Sequence, residues 1–344
     1  MFYDFRDFAE QGEFVGQIQR RIHDNTLAHA LLITGGEGVG KKTLARVIAA
    51  ALLCRDSSRR PCGQCTSCRL LQADNHPDLI VLQKGNPIAP GEEKGKNIIP
   101  VADIEELENR CAAHPFEGER RVVMIYRAED MNPPAQNKLL KTLEEPPGGT
   151  FFLLTCEKKD SLLPTIVSRC LSVYLHPWRL DTVMRVLKEN GVPESKARAA
   201  AEEAAGSVGI ALKLAGDEDY WKLREEVYQS FFQAPLRSRI LVVSNRWKDR
   251  RGEADTLFSM IEAGIHQLMD FRIHGVESGS GAGRKDLYDP SWIRFAQKCD
   301  FSAFTDLLDM MTLARKRLQA NVNFQVIVEQ ILFKLMEANS KWSM

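Results

Sequence analysis

The 344 residues carry no excess of either charge: 46 lysines and arginines are matched by 46 aspartates and glutamates. A global pull towards nucleic acid is therefore missing, although a local basic face is compatible with neutrality. No apolar run approaches the ~20 residues needed to cross a bilayer, so no membrane role is expected. The opening stretch, MFYDFRDFAEQGEF, lacks the basic start and apolar core of a secretory signal. Cysteines are few, eight in all. Without such a signal they are expected in a reducing cytoplasm, where metal binding is favoured over disulfides. What remains is ordinary globular material, 44% hydrophobic and 27% charged. It is long enough for two or three domains, each with its own core.

Residues 1–176 alternate between helical and strand patterns. Apolar runs at 30–34, 78–83, 122–125, 151–155 and 171–175 read as buried strands, with helices expected near 14–25, 42–54, 102–113 and 135–143. Continuous apolar strands separated by helices predict a parallel sheet covered on both faces. Strand signals then run out. Residues 178–216 give three short amphipathic helical patterns, broken at 191–193 and 206–207, and 218–344 reads as helical throughout. The stretch SGSGAGRK at 278–285 is expected to be a surface loop.

The stretch ITGGEGVGKKT sits between a predicted strand and a predicted helix and reads as a phosphate loop, Gly35-x₄-Gly40-Lys41. Glycines such as Gly35, Gly38 and Gly40 let backbone N–H groups converge on phosphate oxygens, and Lys41 would reach the β- and γ-phosphates. Two parts of such a site are missing. The position after Lys41 should be a hydroxyl residue that ligates Mg²⁺, and it is Lys42. Thr43 comes one residue late, rotated ~100° around the helix. The later strand 122–125 should end in acidic residues, and it ends in Tyr126 and Arg127. Glu129 and Asp130 lie beyond that strand and are expected in a solvated turn. ATP or ADP binding by this chain is left open.

Cys54, Cys62, Cys65 and Cys68 follow the loop helix with the spacing C-x₇-C-x₂-C-x₂-C, turned by Pro61 and Gly63. Four thiolates this close fit a tetrahedral structural Zn²⁺ site with no open position for catalysis. An iron–sulfur cluster is the alternative. Cys111, Cys156, Cys170 and Cys299 are isolated and expected to be small buried hydrophobes.

Together with NKLLKTLEEPP (137–147), LLPTIVSRC (162–170) and AAGSVGIALKLA (204–215), these motifs resemble the bacterial DNA polymerase III clamp-loader subunits of the AAA+ superfamily. The resemblance covers about residues 1–216. It implies an α/β AAA+ parallel-sheet domain over 1–176 with a zinc-binding insertion at about 54–78. A small helical lid domain over 177–217 and an all-α C-terminal collar domain over 218–344 would follow. Active members carry a GSxR pattern whose arginine touches the nucleotide, where this chain has Gly206-Ser207-Val208-Gly209. With Lys42 and the Tyr126/Arg127 pair, that makes three departures at nucleotide-handling positions. They imply a structural and regulatory subunit rather than a hydrolysing one. Arg169, in Ser168-Arg169-Cys170, would project as an arginine finger into a neighbour's ATP site, exposed and free of an internal carboxylate. The implied partners are the tau/gamma and delta subunits and, through the complex, the sliding clamp and primer-template DNA. Two rivals stand beside this reading: an active tau/gamma-like ATPase, and a zinc-dependent nucleic-acid-binding module favoured by Arg55, Arg59, Arg60 and Arg69.

Overall fold

The computed structural model describes residues 4–91, 95, 97–233, 239–275 and 288–342; the 278–285 stretch lies outside them. The chain divides into two compact units between Ala215 and Gly216.

The first unit is built on five parallel strands: β1 (Ala30–Thr34), β2 (Leu79–Leu82), β3 (Arg121–Ile125), β4 (Thr150–Cys156) and β5 (Leu171–Tyr174). Their spatial order is β2-β3-β4-β1-β5. β1 lies inside the sheet, with Leu32 opposite Leu154 on one side and Ser172 on the other. Both β1 and β3 are buried at every position, as continuous apolar runs require. The helices are α1 (Glu13–His23), α2 (Lys41–Leu53), α3 (Thr66–Gln72), α4 (Val101–Ala112), α5 (Pro133–Glu144) and α6 (Pro164–Arg169). Ile104 and Leu107 of α4 and Leu139 and Leu143 of α5 share a core with Leu32, Val123 and Phe152. Each such side chain contributes ~1.5–3 kcal/mol by leaving water. α5 starts where Asn132 accepts a hydrogen bond from the Ala135 N–H at 2.9 Å and Pro133 enters the first turn.

Three short helices complete this unit: α7 (Leu180–Glu189), α8 (Glu194–Glu203) and α9 (Val208–Gly216). They match the three periodic patterns read from the sequence. The helices α3 and α6 were not foreseen. At seven and six residues they are too short to show a period.

The second unit holds α10 (Glu218–Phe231), α11 (Ile240–Trp247), α12 (Ala254–His274), α13 (Pro290–Lys298), α14 (Phe301–Gln319) and α15 (Phe324–Trp342). Its core is aromatic. Phe232 meets Tyr288 edge-on at 5.3 Å between ring centroids, and Trp292 meets Phe295 at the same distance. The buried Tyr288 hydroxyl donates to Gln267 at 2.7 Å.

Candidate functional site: a phosphate loop without its acids, and a four-thiol knuckle

The phosphate loop leaves β1 and enters α2 through Gly40, whose φ of 99° only glycine adopts without strain. No side chain caps the first turn of α2, so its N–H groups face the loop's concavity. Lys41 is buried, and its ammonium donates to the carbonyls of Gly35 (2.7 Å) and Gly36 (2.6 Å). Burial lowers its pKa, while Glu157 and Glu129 oppose that shift. The Lys42 ammonium lies 4.7 Å over the Tyr126 ring. A cavity of about 550 Å³ opens between loop and lid, and Thr43 lines it with Lys41, Lys42 and Arg127.

The end of β3 carries Tyr126 and Arg127. Tyr126 is buried. Arg127 takes a left-handed conformation, φ 52°, fixed by donation from its N–H to Thr155 Oγ1 at 3.0 Å. Its guanidinium pairs with Glu157, with Asp130 at 3.2 Å and with Glu129 at 3.9 Å. The solvated turn expected for Glu129 and Asp130 is corrected: both side chains are 12% exposed. Glu129 also accepts from the Glu157 N–H at 3.2 Å. Arg127 draws these carboxylates inward, which a strand-end acid pair would have repelled.

The lid sits directly on the loop. Ser207 Oγ donates to the Glu37 carbonyl, the Gly209 N–H to the Gly38 carbonyl and Trp178 Nε1 to the Val39 carbonyl, each at 2.8 Å. A Cβ on Gly209 would lie 2.8 Å from Gly38 Cα and 3.2 Å from its oxygen. Backbone therefore occupies the space that a nucleotide-touching side chain would need to leave this position.

Cys54, Cys62, Cys65 and Cys68 converge, with all four sulfurs within 4.8 Å of one another. The Cys54–Cys65 and Cys62–Cys68 separations are both 4.0 Å. A tetrahedron of thiolates with Zn–S near 2.3 Å has sulfur–sulfur edges of about 3.8 Å, so the cluster fits with slight contraction. Backbone N–H groups of Cys62, Cys65 and Cys68 point at the sulfurs of Cys54, Cys62 and Cys65 at 3.3–3.4 Å. Burial raises the Cys65 thiol, but donation from the Cys68 and Arg55 N–H groups outweighs it and brings its pKa to about 6. A metal here would tie the end of α2 to the start of α3.

A clasp holds this knuckle to the sheet. His76 Nε2 lies 2.8 Å from Ser67 Oγ, and Ser67 donates to the Leu53 carbonyl at 2.6 Å. The His76 Nδ1 accepts from the Asp78 N–H at 3.1 Å. Ser, His and Asp are thus neighbours without forming a nucleophilic triad. The hydroxyl proton is committed to a carbonyl, and the Asp78 carboxylate serves the N–H groups of Phe116 and Glu117.

Arg169 ends α6. Its side chain is 34% exposed, and it pairs with Glu144 and donates to the Thr165 carbonyl at 3.0 Å. The expectation of a guanidinium free of internal carboxylates is therefore corrected. Glu144 ends α5, which packs beside α6, and neither side chain is buried. Cys170 next to it is buried, which pushes its thiol up to about 11. Cys111, Cys156 and Cys299 are buried as expected. Lys138 pairs with Glu108 at 3.3 Å. Sequence reasoning missed Glu157 and the polar role of Trp178. Glu157 directly follows β4, and the carboxyl ends of parallel strands are where ligands gather, so its position was a usable signal.

A protein-family model described as DNA polymerase III, delta subunit, matches residues 10–179. The chain is similar to the DNA polymerase III subunit delta prime of Escherichia coli (strain K12). That match is 37% identical over 248 residues, 72% of this chain and 66% of the relative. The subunit delta prime of Bacillus subtilis (strain 168) is 26% identical over 322 residues, covering 92% of this chain and 93% of its own. The tau/gamma subunit of Haemophilus influenzae is 34% identical over 172 residues, 50% of this chain and 23% of that one. The chain belongs to the delta prime family of DNA polymerase III subunits.

Proposed function

We propose that this chain is a non-hydrolysing, regulatory subunit of the clamp loader, and that it lends Arg169 to a neighbour's ATP site. The observation that carries the reading is the cluster of Lys42, Tyr126 and Arg127. A cation over a ring and a guanidinium locked by three carboxylates stand where Mg²⁺ and the water-orienting acid are needed. Residues 1–176 act as the sheet domain, 177–217 as the lid and 218–344 as the collar that packs against tau/gamma and delta. The sliding clamp and primer-template DNA are reached through the complex. Cys54, Cys62, Cys65 and Cys68 hold a structural Zn²⁺, which supplies rigidity rather than reactivity.

Arg169 suits its role because it is half-exposed and its pairing is superficial. An ion pair with partners 34% and 48% exposed is worth ~0–1 kcal/mol, little enough for a nucleotide phosphate to displace Glu144. A guanidinium meeting a transferring phosphate in trans is worth ~10³–10⁵ in rate in arginine-finger systems. The test is Arg169→Ala in the reconstituted complex. DNA-stimulated ATP hydrolysis at the one completed site and clamp loading are lost, while the melting temperature of the free chain hardly moves. Arg169→Lys rescues poorly, because a point charge lacks the planar fork. A mutant complex that loads clamps like wild type overturns the reading.

A further inference from the structure

β5 departs from the burial pattern of the inner strands. β1 and β3 are buried at every position, whereas β5 buries Val173 alone. Leu171 is 38% exposed, Tyr174 is 49% exposed, and Ser172 between them is exposed as well. Side chains alternate along a strand, so Leu171 and Tyr174 stand on opposite faces of the sheet and each leaves its face open. β5 ends the strand order beside β1, and among the described residues no strand pairs with its other side. Uncovered sheet margins are normally blunted by lysine, proline or a bulge. Leu171-Ser172-Val173-Tyr174 carries no charge and no proline.

A little further on, the chain covers this margin itself. Gln11 is buried at the end of a short helical turn, Phe5–Gln11, and stands where a neighbouring strand would. Its Oε1 accepts from the His176 N–H at 2.8 Å, and its Nε2 donates to the His176 carbonyl at 3.1 Å. Cover therefore stops short of Tyr174. At its other end the open stretch begins two residues after Arg169, and the chain from Arg169 to Tyr174 reaches at most about 18 Å. The exposed Thr165 and Ser168 of α6 extend the same surface past Arg169.

We propose that Leu171 and Tyr174 form the contact by which this chain grips the subunit whose ATP site Arg169 enters. Continuity selects that occupant. A guanidinium meets a neighbour's phosphate only if the neighbour's surface also lies against the residues beside it, and those include Leu171 and Tyr174. The apolar pair supplies affinity, and Arg169 supplies charge at the transferring phosphate. The choice of partner rests on Arg169 acting in trans; the open margin does not. Covering the exposed half of a tyrosine removes ~75–125 Å² from water, worth roughly tenfold or more in affinity.

The experiment titrates the full chain into purified tau/gamma and delta subunits and reads DNA-stimulated ATP hydrolysis against its concentration. Tyr174→Lys should raise the half-saturating concentration about tenfold or more, with the wild-type plateau regained at saturation. Lysine is a normal edge-strand residue, so the variant should fold, which the melting temperature of the free chain checks. Leu171→Lys, on the opposite face, serves if Tyr174→Lys does not fold. Phe116→Lys is the control: Phe116 is 84% exposed in the connection between α4 and β3, and its loss should leave half-saturation unchanged. Wild-type half-saturation in the Tyr174 and Leu171 variants overturns the proposal. So does an equal shift in Phe116→Lys, or a lowered plateau at unchanged half-saturation, which is the signature expected of Arg169→Ala. A free wild-type chain that dimerises in sedimentation, and becomes monomeric with Tyr174→Lys, names a second copy as the occupant and overturns it too. If Arg169→Ala hydrolyses like wild type while Tyr174→Lys shifts half-saturation, the finger reading falls and the contact stands.

Discussion

Gly209 offers a test in which two well-known effects of one substitution oppose each other. It lies in the first turn of α9, so Gly209→Ala should gain about 0.5–1 kcal/mol from reduced chain entropy if nothing else intervened. The new methyl, however, would stand 2.8 Å from Gly38 Cα. The obstacle is backbone and cannot rotate aside, and overpacking of this kind costs about 1–3 kcal/mol. Relief requires the lid to lift, which stretches the 2.8 Å bond from the Gly209 N–H to the Gly38 carbonyl and forfeits roughly another 1 kcal/mol. The clash wins, and the net loss is about 1–3.5 kcal/mol. Gly16 is the matched control: it sits inside α1 with nothing within 4 Å of an added Cβ, so Gly16→Ala should stabilise. Two compact units make a single global unfolding energy ill-defined, so the measurement should be local. Hydrogen exchange over residues 36–40 and 207–212 should speed up about tenfold in Gly209→Ala and stay unchanged or slow in Gly16→Ala. If both substitutions slow exchange alike, the close approach of lid to loop is wrong.

Other outcomes follow from the same geometry. The isolated chain should show no appreciable ATP turnover, checked by phosphate release against Lys41→Ala; turnover abolished by that substitution would refute the reading of the site. Elemental analysis of protein purified without chelators should find one zinc per chain, and Cys65→Ser should loosen residues 54–78 more than the sheet. Zinc should be released as pH falls, because protons compete for the thiolates, and retention should be restored on returning to neutral pH. Ser67→Ala should cost about 1–3 kcal/mol by leaving a buried His76 nitrogen without its partner, read as increased protease cleavage in the cysteine segment.

Much of the first unit was legible because its signals are local. All five strands were readable from apolar runs, and the phosphate loop and the four cysteines from spacing alone. Boundaries moved by one or two residues, as with α1, which ends at His23 rather than 25. What could not be read were relations across the chain. Arg127 and Glu157 are thirty residues apart and meet because β3 and β4 are adjacent, a pairing that no local pattern encodes. The inward turn of Glu129 and Asp130 depends on that same guanidinium. Arg169 and Glu144 likewise meet only after α5 packs beside α6. The sequence reading judged each acid by its own neighbourhood, and an acid pair beyond a strand end looks solvated until the cation that attracts it is placed.

The cysteine knuckle has a consequence for solubility. Its clasp through Ser67 and His76 ends three residues before β2, a four-residue strand at the margin of the sheet, paired with β3. A margin strand carries unpaired backbone groups that another chain can recruit, and short, firmly anchored strands resist such recruitment. The four thiols sit on the connection that delivers β2 to its place. A chain deprived of its metal would therefore first loosen the strand best able to pair with a second molecule. Zinc starvation should show itself as precipitation through strand addition, well before any change in the phosphate loop on the far side of β4.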